Sequence, residues 1–133
     1  MRAGLIAYVA TTIVFFGMDF VWLSTAMGIL YRPRLGPLLL DRPRLGVAGG
    51  FYLLYVLGIV LFAVLPAAAG GDWTRALGSG ALFGLVAYGT YDMTNLATLK
   101  GWSWTVTLVD MAWGTVATGT AALAGYAALQ WLG

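Results

Sequence analysis

Four apolar stretches, each close to the length of a membrane crossing, constrain this chain more than any other feature. They run from about residue 4 to 27, 47 to 69, 76 to 99 and 104 to 131. A helix needs about 20 consecutive apolar residues to cross a hydrocarbon core. In lipid every backbone polar group must be satisfied internally, which leaves only helices or closed barrels. The stretches lack the apolar–polar alternation of barrel strands. The expected fold is therefore all-α: a polytopic membrane protein with four transmembrane helices in an antiparallel bundle. Of the 133 residues, 61% are hydrophobic and 9% charged, whereas a soluble domain carries about 25% charged residues. One integral-membrane domain over residues 1–133 is expected. Arg2, the apolar run and Ser24-Thr25-Ala26 could pass for a signal peptide. Asp19 and Trp22 inside that run point instead to a retained helix.

The link from residue 28 to 46 contains a local duplication, Arg32-Pro33-Arg34-Leu35-Gly36 and Arg42-Pro43-Arg44-Leu45-Gly46. Its prolines and glycines predict a loop rather than a continuous helix. Arg32, Arg34, Arg42 and Arg44 are candidates for gripping lipid phosphates, which guanidinium matches bidentately. Their plainer role is to set orientation. These four and Lys100 stand on one side of the expected bundle, with Arg2 and Arg75 on the other. By the positive-inside rule, the 28–46 link and the turn before helix four are then cytoplasmic, and both termini lie outside.

Cysteine and histidine are absent. That removes disulfides, thiolate metal sites, cysteine nucleophiles and histidine-ligated metals or haem. Neither a phosphate loop nor a dinucleotide fingerprint is present, and no cofactor is expected. Asp and Asn oxygens suit a hard cation, but their spacing matches no metal loop. The formal net charge of +2 is read as membrane orientation, with no nucleic-acid partner.

The five acidic residues are all aspartate, and Asp19, Asp92 and Asp110 lie inside apolar stretches. Insertion scales price a central aspartate at about 2.5–3.5 kcal/mol. Such residues are expected to face the bundle interior, where they pair, protonate or hold a cation. Measured from the expected cytoplasmic ends, all three lie roughly 9–12 Å deep at 1.5 Å per residue. Two carboxylates without a cation repel, so one of them is expected to hold a proton. The catalytic candidates are Asp19, Asp92 and Asp110, each able to act as a general acid or base. Trp22, Tyr88, Tyr91, Asn95, Thr107 and Trp113 fall on or beside the carboxylate faces, and Lys100 lies two turns beyond Asp92. With the four arginines they are the binding candidates. Helix two offers Tyr52 and Tyr55 as polar partners and is expected to serve mainly as a packing wall. Gly80 and Gly84 have the small-residue spacing that lets helices approach closely.

Several strings together carry a resemblance. They are Met18-Asp19-Phe20-Val21-Trp22-Leu23, Phe51-Tyr52-Leu53-Leu54-Tyr55-Val56, Tyr91 through Trp102, and Thr107 through Gly114. In these the chain resembles the small bacterial membrane proteins grouped as domain of unknown function 2177. That family often has a histidine after the glycine of the first link, where this chain has Pro37. The resemblance implies four membrane helices and a bacterial inner-membrane home, and brings no reaction. The family's association with lipid-modification genes points to membrane lipids as partners. Three function classes are open: lipid binding or modification at the aspartates, an accessory subunit docking other membrane subunits, and a small proton- or cation-coupled transporter.

Overall fold

The computed structural model of the chain describes residues 2–133. Among these residues there are helices and no strands. Four long helices follow one another: α1 Arg2–Leu38, α2 Leu45–Gly70, α3 Trp73–Thr98 and α4 Trp104–Leu132. The first two are long and apolar enough to cross a membrane. The other two are less apolar, and the residues they bury include Gly80, Gly84 and Asp92 on α3 and Asp110, Gly114 and Thr118 on α4.

The expectation of a loop from residue 28 is corrected. α1 continues through a π turn at Met27–Tyr31, a short α segment at Arg32–Leu35 and a 3-10 turn at Gly36–Leu38. Packing explains why. The buried positions of α1 step by four from Ala7 through Thr11 and Phe15 to Asp19, and by five from Ala26 to Tyr31. A π turn absorbs the extra residue, so Tyr31 and Leu35 stay on the inner face, against Val106. The prolines fit the same account. Pro33 falls in the first turn after the π segment and offers no N–H to Ile29, four residues back. The Ile29 carbonyl accepts instead from the Arg34 guanidinium at 3.3 Å. Pro37 sits in the closing 3-10 turn, after which Leu39 is extended.

Helices α3 and α4 form the closest pair. A Cβ added at Gly80 would lie 2.6 Å from Ala122 Cβ, and one at Gly84 would strike the Gly114 carbonyl. Leu77 meets Gly119, while Tyr88 lies flat on Gly114, so the two helices run antiparallel with almost no side chain between their backbones. α1 packs on α4 in the same sense, with Thr11 beside Gly125 and Trp22 against Trp113. Phe15, Val56, Ile59, Val64, Ala117 and Ala121 fill the centre.

The turns explain themselves locally. Gly71 closes α2 at φ 70°, a left-handed conformation that glycine adopts without steric cost. Asp72 then caps α3, accepting from the Thr74 amide at 2.9 Å and its hydroxyl at 2.6 Å. Those bonds hold the Asp72 carboxyl below the usual carboxylate range. Ser103 caps α4 by accepting from the Val106 amide at 3.2 Å. The outward faces are apolar, with Ile13, Phe20, Leu54, Phe62 and Leu82 all exposed.

Candidate functional site

At the end of the bundle that holds the 39–44 and 99–103 links, the helices enclose a cavity of about 790 Å³. Asp19 from α1, Asp92 from α3 and Asp110 from α4 line it, and all three are buried. Helical spacing brings them inward. Asp92 continues the row Ala76, Gly80, Gly84 that faces α4, and Asp110 precedes Gly114 and Ala117 on the side facing α3 and α1. Leu39, Leu40, Arg44, Val47 and Phe51 line the mouth, between the end of α1 and the start of α2.

A relay fixes one carboxylate. The Trp22 indole N–H donates to the Tyr31 hydroxyl at 2.9 Å, and that hydroxyl donates to Asp110 Oδ1. Asp92 faces Asp110. It is wholly buried, and neither of its carboxylate oxygens has a hydrogen-bond partner. Asp19 faces Tyr52 and Trp113. Trp113 stacks on Trp22 with centroids 4.6 Å apart and planes 6° from parallel. The result is an acidic chamber walled by aromatic rings.

Of the other residues singled out from the sequence, Trp22, Tyr88, Tyr91 and Arg44 line the cavity. Trp113 stands behind Trp22 rather than in the lining, and its indole N–H is unpartnered. Thr107 is buried outside the lining, accepting from the Trp102 indole at 3.1 Å and donating to the Ser103 carbonyl at 2.9 Å. Asn95 is half-buried, one turn beyond Tyr91, and Lys100 is exposed in the turn before α4. Neither lines the cavity. Arg32, Arg34 and Arg42 are exposed outside it, and Arg34 is occupied with the carbonyls of its own helix.

Sequence reasoning missed Tyr31 and undervalued α2. A loop over residues 28–46 gives Tyr31 no helical phase relative to Asp19. Its available signal was that a five-residue step from Ala26 restores the inner face. Tyr52 and Tyr55 of α2 line the cavity, so this helix is more than a packing wall. The Tyr55 hydroxyl is bonded to Thr118 at 2.8 Å.

A second, apolar groove of about 380 Å³ runs between α2 and α3. It shares Phe51, Tyr55 and Ala87 with the acidic cavity, so the two adjoin at these residues. Phe62 and Phe83 line its far part. The eleven residue steps of α2 from Phe51 to Phe62 correspond to about 16 Å of helix. Gly58 lets the Phe83 ring approach α2 closely, since a Cβ there would lie 2.8 Å from Phe83 Cζ.

Among the described residues no three acidic side chains gather closely enough to hold a metal ion. The chemistry on offer is hydrogen-bond acceptance, proton exchange and attraction of a cation. In comparisons with known proteins, the family model described as "Predicted membrane protein (DUF2177)" matches residues 4–127. No curated protein and no solved structure matches the chain.

Proposed function

The chain belongs to the DUF2177 family of predicted membrane proteins, and on that premise we propose that it crosses the bilayer with all four helices and binds or modifies a lipid in the acidic cavity. One observation carries the lipid reading. A buried, unpartnered carboxylate, Asp92, lines the interior of a cavity whose mouth and adjoining groove are apolar. Ligand pockets of roughly 300–1,000 Å³ take molecules of drug or cofactor size. A polar head at the aspartates with a hydrocarbon chain along the α2–α3 groove satisfies both parts of the space. The apolar outer faces of the four helices suit contact with lipid. The home of the protein is then a bacterial inner membrane.

The experiment is lipid retention. Purified in a mild detergent and weighed by native mass spectrometry, the wild-type protein is expected to carry lipid. Ala87→Trp puts an indole where cavity and groove join, and is expected to lower that occupancy at least tenfold while circular dichroism stays helical. Equal lipid retention by the two proteins would reject the cavity as the lipid site.

Orientation follows from charge. Five of the seven basic residues, Arg32, Arg34, Arg42, Arg44 and Lys100, lie at or beyond the cavity end of the bundle. By the positive-inside rule that end is cytoplasmic, the cavity opens toward the inner leaflet, and both termini are outside. The native chain has no cysteine, so Gly133→Cys provides a single reporter. It is expected to react with an impermeant thiol reagent once the outer membrane is made leaky. Reaction only after the inner membrane is opened would reverse the orientation.

A further inference from the structure

A lipid head that fills the cavity has to answer one specific demand. Asp92 and Asp110 face each other inside the protein. Asp110 has its donor in Tyr31, while both oxygens of Asp92 are without a partner and the residue is wholly buried. Two buried carboxyls that face each other cannot both stay ionised without a proton or another cation between them. The only cationic side chain in the lining, among the described residues, is Arg44, which is exposed at the mouth. Among the described residues no side chain in the lining supplies a cation to the pair, so the positive charge is a shared proton or comes from outside the chain.

We infer that the cavity takes an amphiphile with an ammonium head, which docks at the Asp92–Asp110 pair in place of the proton the two carboxyls share. This rests on the proposed lipid-binding reading and specifies its ligand. An ammonium carries a full positive charge and up to three N–H donors, so it can serve both carboxylates at once. A hydroxyl donates a single hydrogen bond and leaves the charge of the pair uncompensated. A metal ion needs several oxygen ligands, and the aspartates are not gathered to supply them. An anionic head would be repelled by the acidic wall. The aromatic wall agrees with the choice. Trp22, Tyr88, Tyr91 and Trp102 line the same space, and cations favour the faces of such rings.

The test compares three probes that differ in charge or chain: dodecylammonium, dodecanol and ethylammonium. Each is titrated at fixed chloride into purified protein in neutral detergent, with tryptophan fluorescence and melting temperature as readouts. Dodecylammonium is expected to give a saturable response with a half-saturation at least tenfold below that of dodecanol. Asp92→Asn is expected to weaken dodecylammonium tenfold or more and to weaken dodecanol far less. The wild-type ratio needs no variant, so it decides the matter even if Asp92→Asn folds poorly. Equal half-saturation for amine and alcohol, or an Asp92→Asn protein that folds and binds the amine like wild type, would overturn the ammonium assignment. Dodecanol binding that Ala87→Trp abolishes would, in that event, leave the lipid reading standing. No saturable response to any probe would overturn both. Ethylammonium binding as tightly as dodecylammonium would overturn the assignment to an amphiphile and point to a small free amine.

Discussion

Gly84→Leu is expected to lower stability by about 3 kcal/mol, the upper range for overpacking a close-packed interior. A Cβ at Gly84 would meet the Gly114 carbonyl and lie 2.7 Å from Thr118 Cβ, so backbone as well as side chain stands in the way. Backbone cannot swing aside as a long side chain can. Helices α3 and α4 would have to separate, and Tyr88, which lies against Gly114, would lose its seat in the cavity wall. Thermal unfolding in detergent, followed by circular dichroism, measures the effect. Gly78 is the control, because nothing lies within 4 Å of a Cβ added there. Gly78→Ala is expected to be neutral or to stabilise by up to about 1 kcal/mol, since alanine loses less backbone freedom in a helix. A Gly84→Leu protein melting like wild type would mean that α3 and α4 are not held at this distance.

The second large effect separates two members of the acidic chamber. Tyr31→Phe removes the hydroxyl that donates to Asp110 and accepts from the Trp22 indole. It leaves a buried carboxylate short of a donor and an indole N–H without an acceptor. Losing a hydrogen bond to a charged group costs about 1.5–3 kcal/mol, and stranding a buried polar group adds about 1–3 kcal/mol. A destabilisation of about 3 kcal/mol is expected. Asp92→Asn should behave in the opposite way. It replaces an unpartnered buried carboxylate by a neutral group of the same shape and removes the cost of burying a charge there. The pair of melting temperatures tests whether Asp110 is the anchored carboxylate and Asp92 the one held ready for a ligand. Should Asp92→Asn prove as damaging as Tyr31→Phe, Asp92 would be a structural member of the core, with no part left over for a ligand.

Much of this protein could be read without coordinates. The apolar stretches marked four helices because helical length and hydropathy are local properties. The inward turn of Asp19, Asp92 and Asp110 followed from the expense of a charge in an apolar medium and the 3.6-residue period. Gly80 and Gly84 announced a close contact, although only the structure identifies Gly114 and Thr118 as what they touch.

What tertiary structure alone decided begins with α1. Judged locally, Pro33, Gly36 and Pro37 end a helix. In the fold, the burial of Tyr31 and Leu35 against Val106 offsets a π turn, and the Arg34 guanidinium serves a carbonyl that proline cannot. That continuation turns Tyr31 from a loop residue into the donor to Asp110, and it also carries Leu39 and Leu40 to the mouth of the cavity. The choice among polar residues was equally non-local. Thr107 shares a helix face with Asp110, yet its hydroxyl is taken by Trp102 and Ser103. Lys100 lies two turns from Asp92 but in an exposed turn. Helical phase gives a side chain its direction. Which group stands opposite depends on how the helices cross and where a π turn shifts their register, and those are settled by packing between segments far apart in the chain.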